Sequence, residues 1–309
     1  MIDKAKSYKT AGAFRAALET RLQTRARARH YLQRLRRQVA FDRFLARMFS
    51  KGPKAAYPWL LKGGYAMELR MQSARTTKDI DLTLDDGTRL SKNAKERGEQ
   101  VRALLQEAAA TPFEFLVGEA RADLDGAPEG GSRYPAQARM DGRDFARFHV
   151  DIGVGDEVLE PLEVVTGEDW LGFGGVAPPS FPIISAEQQF AEKLHACTLP
   201  RGERVNTRTK DLIDMVMLIR GGTLDKSRTA AAVARGNAPK QPTNRQKTEE
   251  NGHRFYQSSA RLLIAAAPAS GIHPLTLRTS PLSIGFPRSS AAATLPARLH
   301  CSSQITGVQ

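Results

Sequence analysis

Cysteine is nearly missing. Only Cys197 and Cys301 occur among 309 residues, which excludes a disulfide framework and a cysteine-based zinc centre and suits a reducing cytoplasm. Long apolar runs are missing too. No stretch approaches the ~20 residues that span a bilayer, and the opening MIDKAKSYKT has no apolar segment of a secretory signal. Acids are scarce beside bases: 33 Asp and Glu stand against 46 Lys and Arg, for a net charge of +13. A chain so basic commonly meets a polyanion, and nucleic acid is the usual one. Hydrophobic residues make up 41%, enough for a sizeable core.

Residues 1–50 pattern as a basic helical segment in which Arg25, Arg27, Arg29, Arg34, Arg36, Arg37, Arg43 and Arg47 crowd together. Leu32, Leu35 and Val39 supply an apolar stripe. The arginines then form either a solvated face or a phosphate-contacting one. Gly52-Pro53 breaks the pattern. From there to residue 184, strands and helices alternate. Pro58 to Leu61 reads as a strand into a Gly63-Gly64 turn, with a short helix after it. Asp79 to Leu84 is a strand, Lys92 to Ala110 a helix, Phe113 to Val117 a strand, and Phe145 to Val154 another. Residues 121–136, rich in Gly, Pro and Asp, read as a loop or hairpin connection. Proline-rich 160–184 is extended or looped. A helical region follows over 185–222: Ser185-Ala-Glu-Gln188 is a capping box, and Thr209 to Arg220 is the last helix with a clear apolar stripe. Residues 223–309 hold only three acids, Asp225, Glu249 and Glu250, and weak apolar periodicity. They read as a disordered or degenerate tail that buries no core.

The chemistry concentrates in two strands. Along Asp79-Ile80-Asp81-Leu82-Thr83-Leu84, side chains alternate faces. Ile80, Leu82 and Leu84 share one side, and Asp79, Asp81 and Thr83 share the other. Two carboxylates ~7 Å apart on one face repel unless something neutralises them. A hard divalent cation, Mg²⁺ or Mn²⁺, does this with oxygen ligands. In Phe148 to Val154, Asp151 again stands opposite the apolar side chains. If the two strands are neighbours, Asp79, Asp81 and Asp151 converge as a metal-binding set for phosphoryl transfer. Gly63 and Gly64 end a strand and open a helix, so backbone N–H groups are free to receive phosphate. Lys62, Arg75 and Lys78 flank this region as further charge.

The ordered combination LLKGGYAMELR…RTTKDIDL, followed by FAEKLHAC and RTKDLIDM, resembles the AbiEii/AbiGii toxin family of the nucleotidyltransferase superfamily, over roughly residues 55–220. The resemblance implies an α/β (α+β) fold: a nucleotidyltransferase-type mixed sheet with flanking helices over 51–184, completed by the helical region 185–222. It implies a metal-dependent enzyme, the toxin of an abortive-infection toxin–antitoxin pair. Such an enzyme moves a nucleotide from an NTP to an acceptor, and the resemblance points to tRNA. By that likeness Gly63 and Gly64 hold the triphosphate, with Lys62 beside them as a flanking charge for the nucleotide, Asp79 and Asp81 hold the metal, and Asp151 is the third acid. Lys193 contacts the triphosphate and Asp211 is an active-site acid of the last helix. A cognate antitoxin is the implied partner. Two other readings remain open: a small-molecule or protein nucleotidyltransferase, and a catalytically inactive nucleic-acid-binding relative.

Overall fold

A computed structural model describes residues 8–26, 29–50, 59–71, 76–84, 90–106, 112–123, 130–199, 207–222 and 224–236. Two helices come first. Helix α1 (Ala11–Arg25) starts where the Thr10 hydroxyl accepts the Ala13 N–H at 3.1 Å, and it buries Phe14, Leu18 and Leu22 at every fourth position. Helix α2 (Arg29–Met48) is enclosed along most of its second half, with Val39, Phe41, Phe44 and Leu45 inside the core.

The sheet follows. Strand β1 (Trp59–Lys62) runs directly into α3 (Gly63–Arg70), and β2 (Asp79–Leu84) returns beside it. Helix α4 (Ala94–Gln106) leads to β3 (Glu114–Val117), β4 (Ala122–Asp123), β5 (Gly131–Met140) and β6 (Arg143–Val154). Strands β7 (Glu163–Thr166) and β8 (Ser180–Ile183) complete it. The order is β3-β5-β6-β2-β1-β8-β7, with β4 also on β5. Pairs β2/β6 and β1/β8 are parallel and the rest antiparallel, so the sheet is mixed as expected. Ile80, Leu82, Leu84, Val150 and Ile152 join the α1 and α2 side chains in one core. The opposite side chains of β2 and β6 are the ones available for chemistry.

Helices α5 (Ala186–Thr198), α6 (Thr209–Arg220) and α7 (Lys226–Gly236) build a second core from Phe190, Leu194, Met215, Leu218, Ala232 and Val233. Met67 of α3 is part of it and joins this bundle to the sheet. The Ser185 hydroxyl does cap α5, accepting the Gln188 N–H at 3.2 Å. Gln188 itself ties down the preceding loop, accepting from Leu159 N at 2.9 Å and donating to Glu157 O at 2.9 Å.

Three sequence expectations need correction. Residues 131–136 are the first half of the long strand β5 rather than loop. Its buried face is Tyr134, Ala136, Ala138 and Met140, and three of these carry a weak strand signal or sit beside proline. Pro135 is tolerated because β3 pairs with 136–139 and β4 with 132–133, leaving a gap between them. Patternless sequence does not begin at 223 either: α7 covers 226–236, opened by Asp225, whose side chain accepts the Arg228 N–H at 2.8 Å. Last, the arginines of α2 are mostly neither solvated nor free. Arg34 pairs with buried Glu68 at 2.6 Å and Arg36 with Glu19 at 2.7 Å. Arg43 is buried, and Arg47 is buried with its guanidinium over Phe44 and Phe115. A helix enclosed in a core must satisfy its cations internally.

Candidate active site

Gly63 takes φ +66°, a conformation that L side chains rarely adopt. A Cβ there would stand 2.1 Å from Asp81 Oδ2, and one on Gly64 would stand 2.8 Å from Thr77 Oγ1. Both glycines are required: the first by backbone and by close approach, the second by close approach alone. The Gly64 N–H donates to Asp81 Oδ2 at 3.3 Å, so the turn and the acid pair face one another. Two neighbours fix the turn. Gln189 of α5 donates to Gly63 O at 2.6 Å. Glu68 of α3 accepts from Arg34 and Gln38, which binds the short helix to α2.

Register then builds the site. Lys62 on β1 pairs with Asp81 on β2, Asp81 with Asp151 on β6, and Asp151 with Arg133 on β5. One row across four strands thus reads cation, anion, anion, cation. Burial, then the Asp151 charge, pushes the Asp81 carboxyl up to about 6, while the Gly64 N–H pulls the other way. Arg133 grips Asp151 with two hydrogen bonds of 2.7 and 2.6 Å and lies 3.7 Å from Asp79. That pairing raises the Arg133 pKa further. One register step away, Asp79 faces His149, whose Nδ1 lies 3.2 Å from Asp79 Oδ1.

Lys62 is half-buried, and desolvation by itself would lower its pKa, but Glu192, Asp156 and Asp81 together raise it. It forms an ion pair with Asp156, which also accepts from Thr83 at 2.8 Å. Glu192 is pushed up by burial and interacts with both Lys62 and Lys193. Lys193 in turn lies 3.0 Å from Asp211 and 2.8 Å from Asp214. Burial opposes its charge, and Asp214 and Asp211 outweigh burial. Lys62, Glu192, Lys193 and the two α6 acids thus form one chain of alternating charge from β1 to α6.

The sequence-derived residues fall into two groups. Lys62, Gly63, Gly64, Asp79, Asp81 and Asp151 meet at one place on the sheet. Lys193 and Asp211 meet each other in the helical bundle and reach that place through Glu192. Arg75 lies outside the described residues. The reading missed Arg133, Asp156, Glu192, Gln189 and the engagement of Asp214. Arg133 stood in a segment read as loop. The others are ordinary polar residues in the sequence, and only the register assigns them neighbours.

Asp79 and Asp81 suit a divalent cation. They are two carboxylates on one face, neither held in a two-bond ion pair, and burial together with the Asp151 charge disfavours the ionised form of Asp81 unless a cation joins it. Asp151 is different, because Arg133 takes both of its oxygens. Among the described residues no group of three or more His, Cys, Asp or Glu side chains is arranged to hold an ion.

Comparison with known proteins finds a family model described as nucleotidyl transferase AbiEii toxin, type IV TA system, matching residues 43–266, well over half of the chain. Among solved structures, MenT4, a nucleotidyltransferase toxin from Mycobacterium tuberculosis H37Rv, is similar at 20% identity. The match covers 71% of this chain and 68% of that one, with a TM-score of 0.48. No curated protein matches.

Proposed function

We propose a reaction from one premise: the chain belongs to the AbiEii family of nucleotidyltransferase toxins, the toxins of type IV toxin–antitoxin systems. A nucleoside triphosphate substrate and an antitoxin partner come with that membership. The finer reading is transfer of a nucleotide to an RNA hydroxyl, with tRNA as the acceptor and the cytoplasm as the place. Among the described residues no helix is long and apolar enough to cross a membrane. The antitoxin is read as encoded beside the toxin.

The observation that carries the reading is the row Lys62–Asp81–Asp151–Arg133 lying against the Gly63–Gly64 turn. The Gly64 N–H, which donates to Asp81 Oδ2, turns to a triphosphate oxygen, and Lys62 adds charge beside it. Mg²⁺ or Mn²⁺ on Asp79 and Asp81, with Asp151 as third acid, would neutralise charge on the phosphate oxygens and lower the pKa of the attacking hydroxyl. Lys193 reaches the triphosphate from α5, and Asp211 with Asp214 sets where its ammonium stands. The acceptor oxygen bonds to the α-phosphorus, the bond to the bridging oxygen breaks, and pyrophosphate leaves. The hydroxyl proton passes to a site carboxylate and on to solvent.

The acceptor is tested by supplying each α-³²P-labelled nucleotide to the protein with total RNA, cell protein and small molecules together. The expected outcome is label in RNA of tRNA length. Label in protein or in a small molecule replaces the acceptor and keeps the enzyme. No label in any fraction, with the antitoxin absent, supports the inactive relative.

A further inference from the structure

The net charge of +13 is not spread evenly. Several arginines away from the site are spent on acids: Arg34 on Glu68, Arg36 on Glu19, Arg70 on Glu163, Arg228 on Glu187. A groove of about 780 Å³ over β6, β5 and β3 gathers cations that are not spent in this way. Arg37, Lys78, Arg121, Arg133 and Arg147 line it, and Asp79 is its one acidic lining residue. Among the described residues, Arg37, Lys78 and Arg121 have no acidic partner. Arg147 holds only Asp144, in a pair at least half exposed on each side, and such pairs contribute little. Arg37 also has a buried Nε with no hydrogen-bond partner.

Position says which anion. The sheet order is β1, β2, β6, β5, β3 from the glycine turn outward. The turn therefore lies on one side of Asp79 and Asp81, and the groove on the other. In an in-line displacement, entering and leaving oxygens stand on opposite sides of phosphorus. Triphosphate on the turn leaves the groove for the acceptor. Three strand spacings from β2 to β3 make ~14 Å, room for several linked phosphates. Pockets for small molecules are mostly apolar with few polar groups, and this one carries five cations. Exposed Leu116 and half-buried Pro135 also line it and offer apolar surface to a base.

We propose that this groove holds the phosphodiester backbone of the acceptor strand, gripped by Arg37, Lys78, Arg121 and Arg147, with its terminal hydroxyl delivered to Asp79. The proposal rests on the nucleotidyl-transfer reading and makes the groove the RNA contact, to which the N-terminal arginine segment contributes Arg37.

The test is anisotropy of a fluorescein-labelled single-stranded RNA 12-mer with a free 3′ hydroxyl, titrated with full-length protein over a range of salt. Binding of an NTP analogue is measured on the same samples. Arg121→Gln/Arg147→Gln changes two exposed side chains, so folding is not at stake. The expected result is at least roughly tenfold weaker RNA binding, with the slope of log K against log salt shallower by about 1.4, or ~0.7 per lost phosphate contact. The control Arg143→Gln removes one exposed charge outside the groove and leaves RNA binding within about twofold. NTP-analogue affinity stays unchanged in all three. The proposal is overturned if the groove variant loses no more than the control, or if poly-aspartate competes as well as RNA. Failure of the wild type to bind the NTP analogue, with the RNA result intact, counts against the enzyme reading and leaves the groove assignment standing.

Discussion

At Gly63 two demands meet, a positive φ and a carboxylate too close for any Cβ. Gly142 has a similar φ of +68° with nothing within 4 Å of an added Cβ, whereas Gly63 would also strike Asp81. Gly142→Ala should therefore cost only the conformational term, about 1–2 kcal/mol. Gly63→Ala should cost more, and Asp81→Ala in the same chain should recover part of the excess. Urea unfolding of the four proteins reads this directly, and equal costs for the two glycines would contradict the contact. Arg133 raises a related question about Asp151. Arg133→Gln should lower thermal stability without metal, by about 1 kcal/mol given its partial exposure. Mn²⁺ should then raise the Tm of the variant more than that of the wild type, because Asp151 becomes available. An equal shift in both proteins would remove Asp151 from the ligand set. Asp42 is a separate matter, buried in α2 and holding the Tyr65 hydroxyl at 2.5 Å. Burial pushes its carboxyl up to about 7. A raised acid pKa means that the folded chain holds its proton where the unfolded chain has lost it. Its contribution is therefore full below about pH 4 and is lost as pH rises to about 7. Asp42→Asn should gain stability relative to wild type by roughly 2–4 kcal/mol across that window. A pH-independent difference would show that Asp42 does not titrate.

At the scale of elements, the bundle of α5, α6 and α7 holds Gln189 on the glycine turn and Lys193 on the α6 acids. Val233 of α7 is buried in that bundle. Val233→Asp should destabilise by about 2–4 kcal/mol and lower hydrogen-exchange protection across α5 as well as α7. Unchanged protection in α5 would make α7 an appendage. These elements also show what a sequence can and cannot disclose. Strand β2 was legible because Ile80, Leu82 and Leu84 alternate with Asp79, Asp81 and Thr83, and helix α5 because Ser185 is a cap. Strand β5 was not, because alanine and proline carry no strand signal of their own and only its neighbours make it one. Asp151 was legible as a strand acid, but its guanidinium partner was not, since pairing with Arg133 depends on β5 lying beside β6. Helix α7 was missed because its sequence is alanine-rich with few large apolar residues, and its stability comes from packing on α5.

Across the whole molecule, one mixed sheet with α1 and α2 behind it presents the acid pair, and a helical bundle joined through Met67 closes the other side. Among the described residues, Arg34 and Arg36 are paired with acids, while Arg37, Lys78 and Arg121 at the groove are not. In the proposed reaction Asp81, facing the Gly63–Gly64 turn, is required for nucleotide transfer. The most direct measurement is the initial rate of pyrophosphate release with NTP and RNA, for wild type and Asp81→Asn matched for folded fraction by circular dichroism. A loss of about 100-fold or more is expected with the isosteric variant, with the fold retained. A rate within a few-fold of wild type would contradict it.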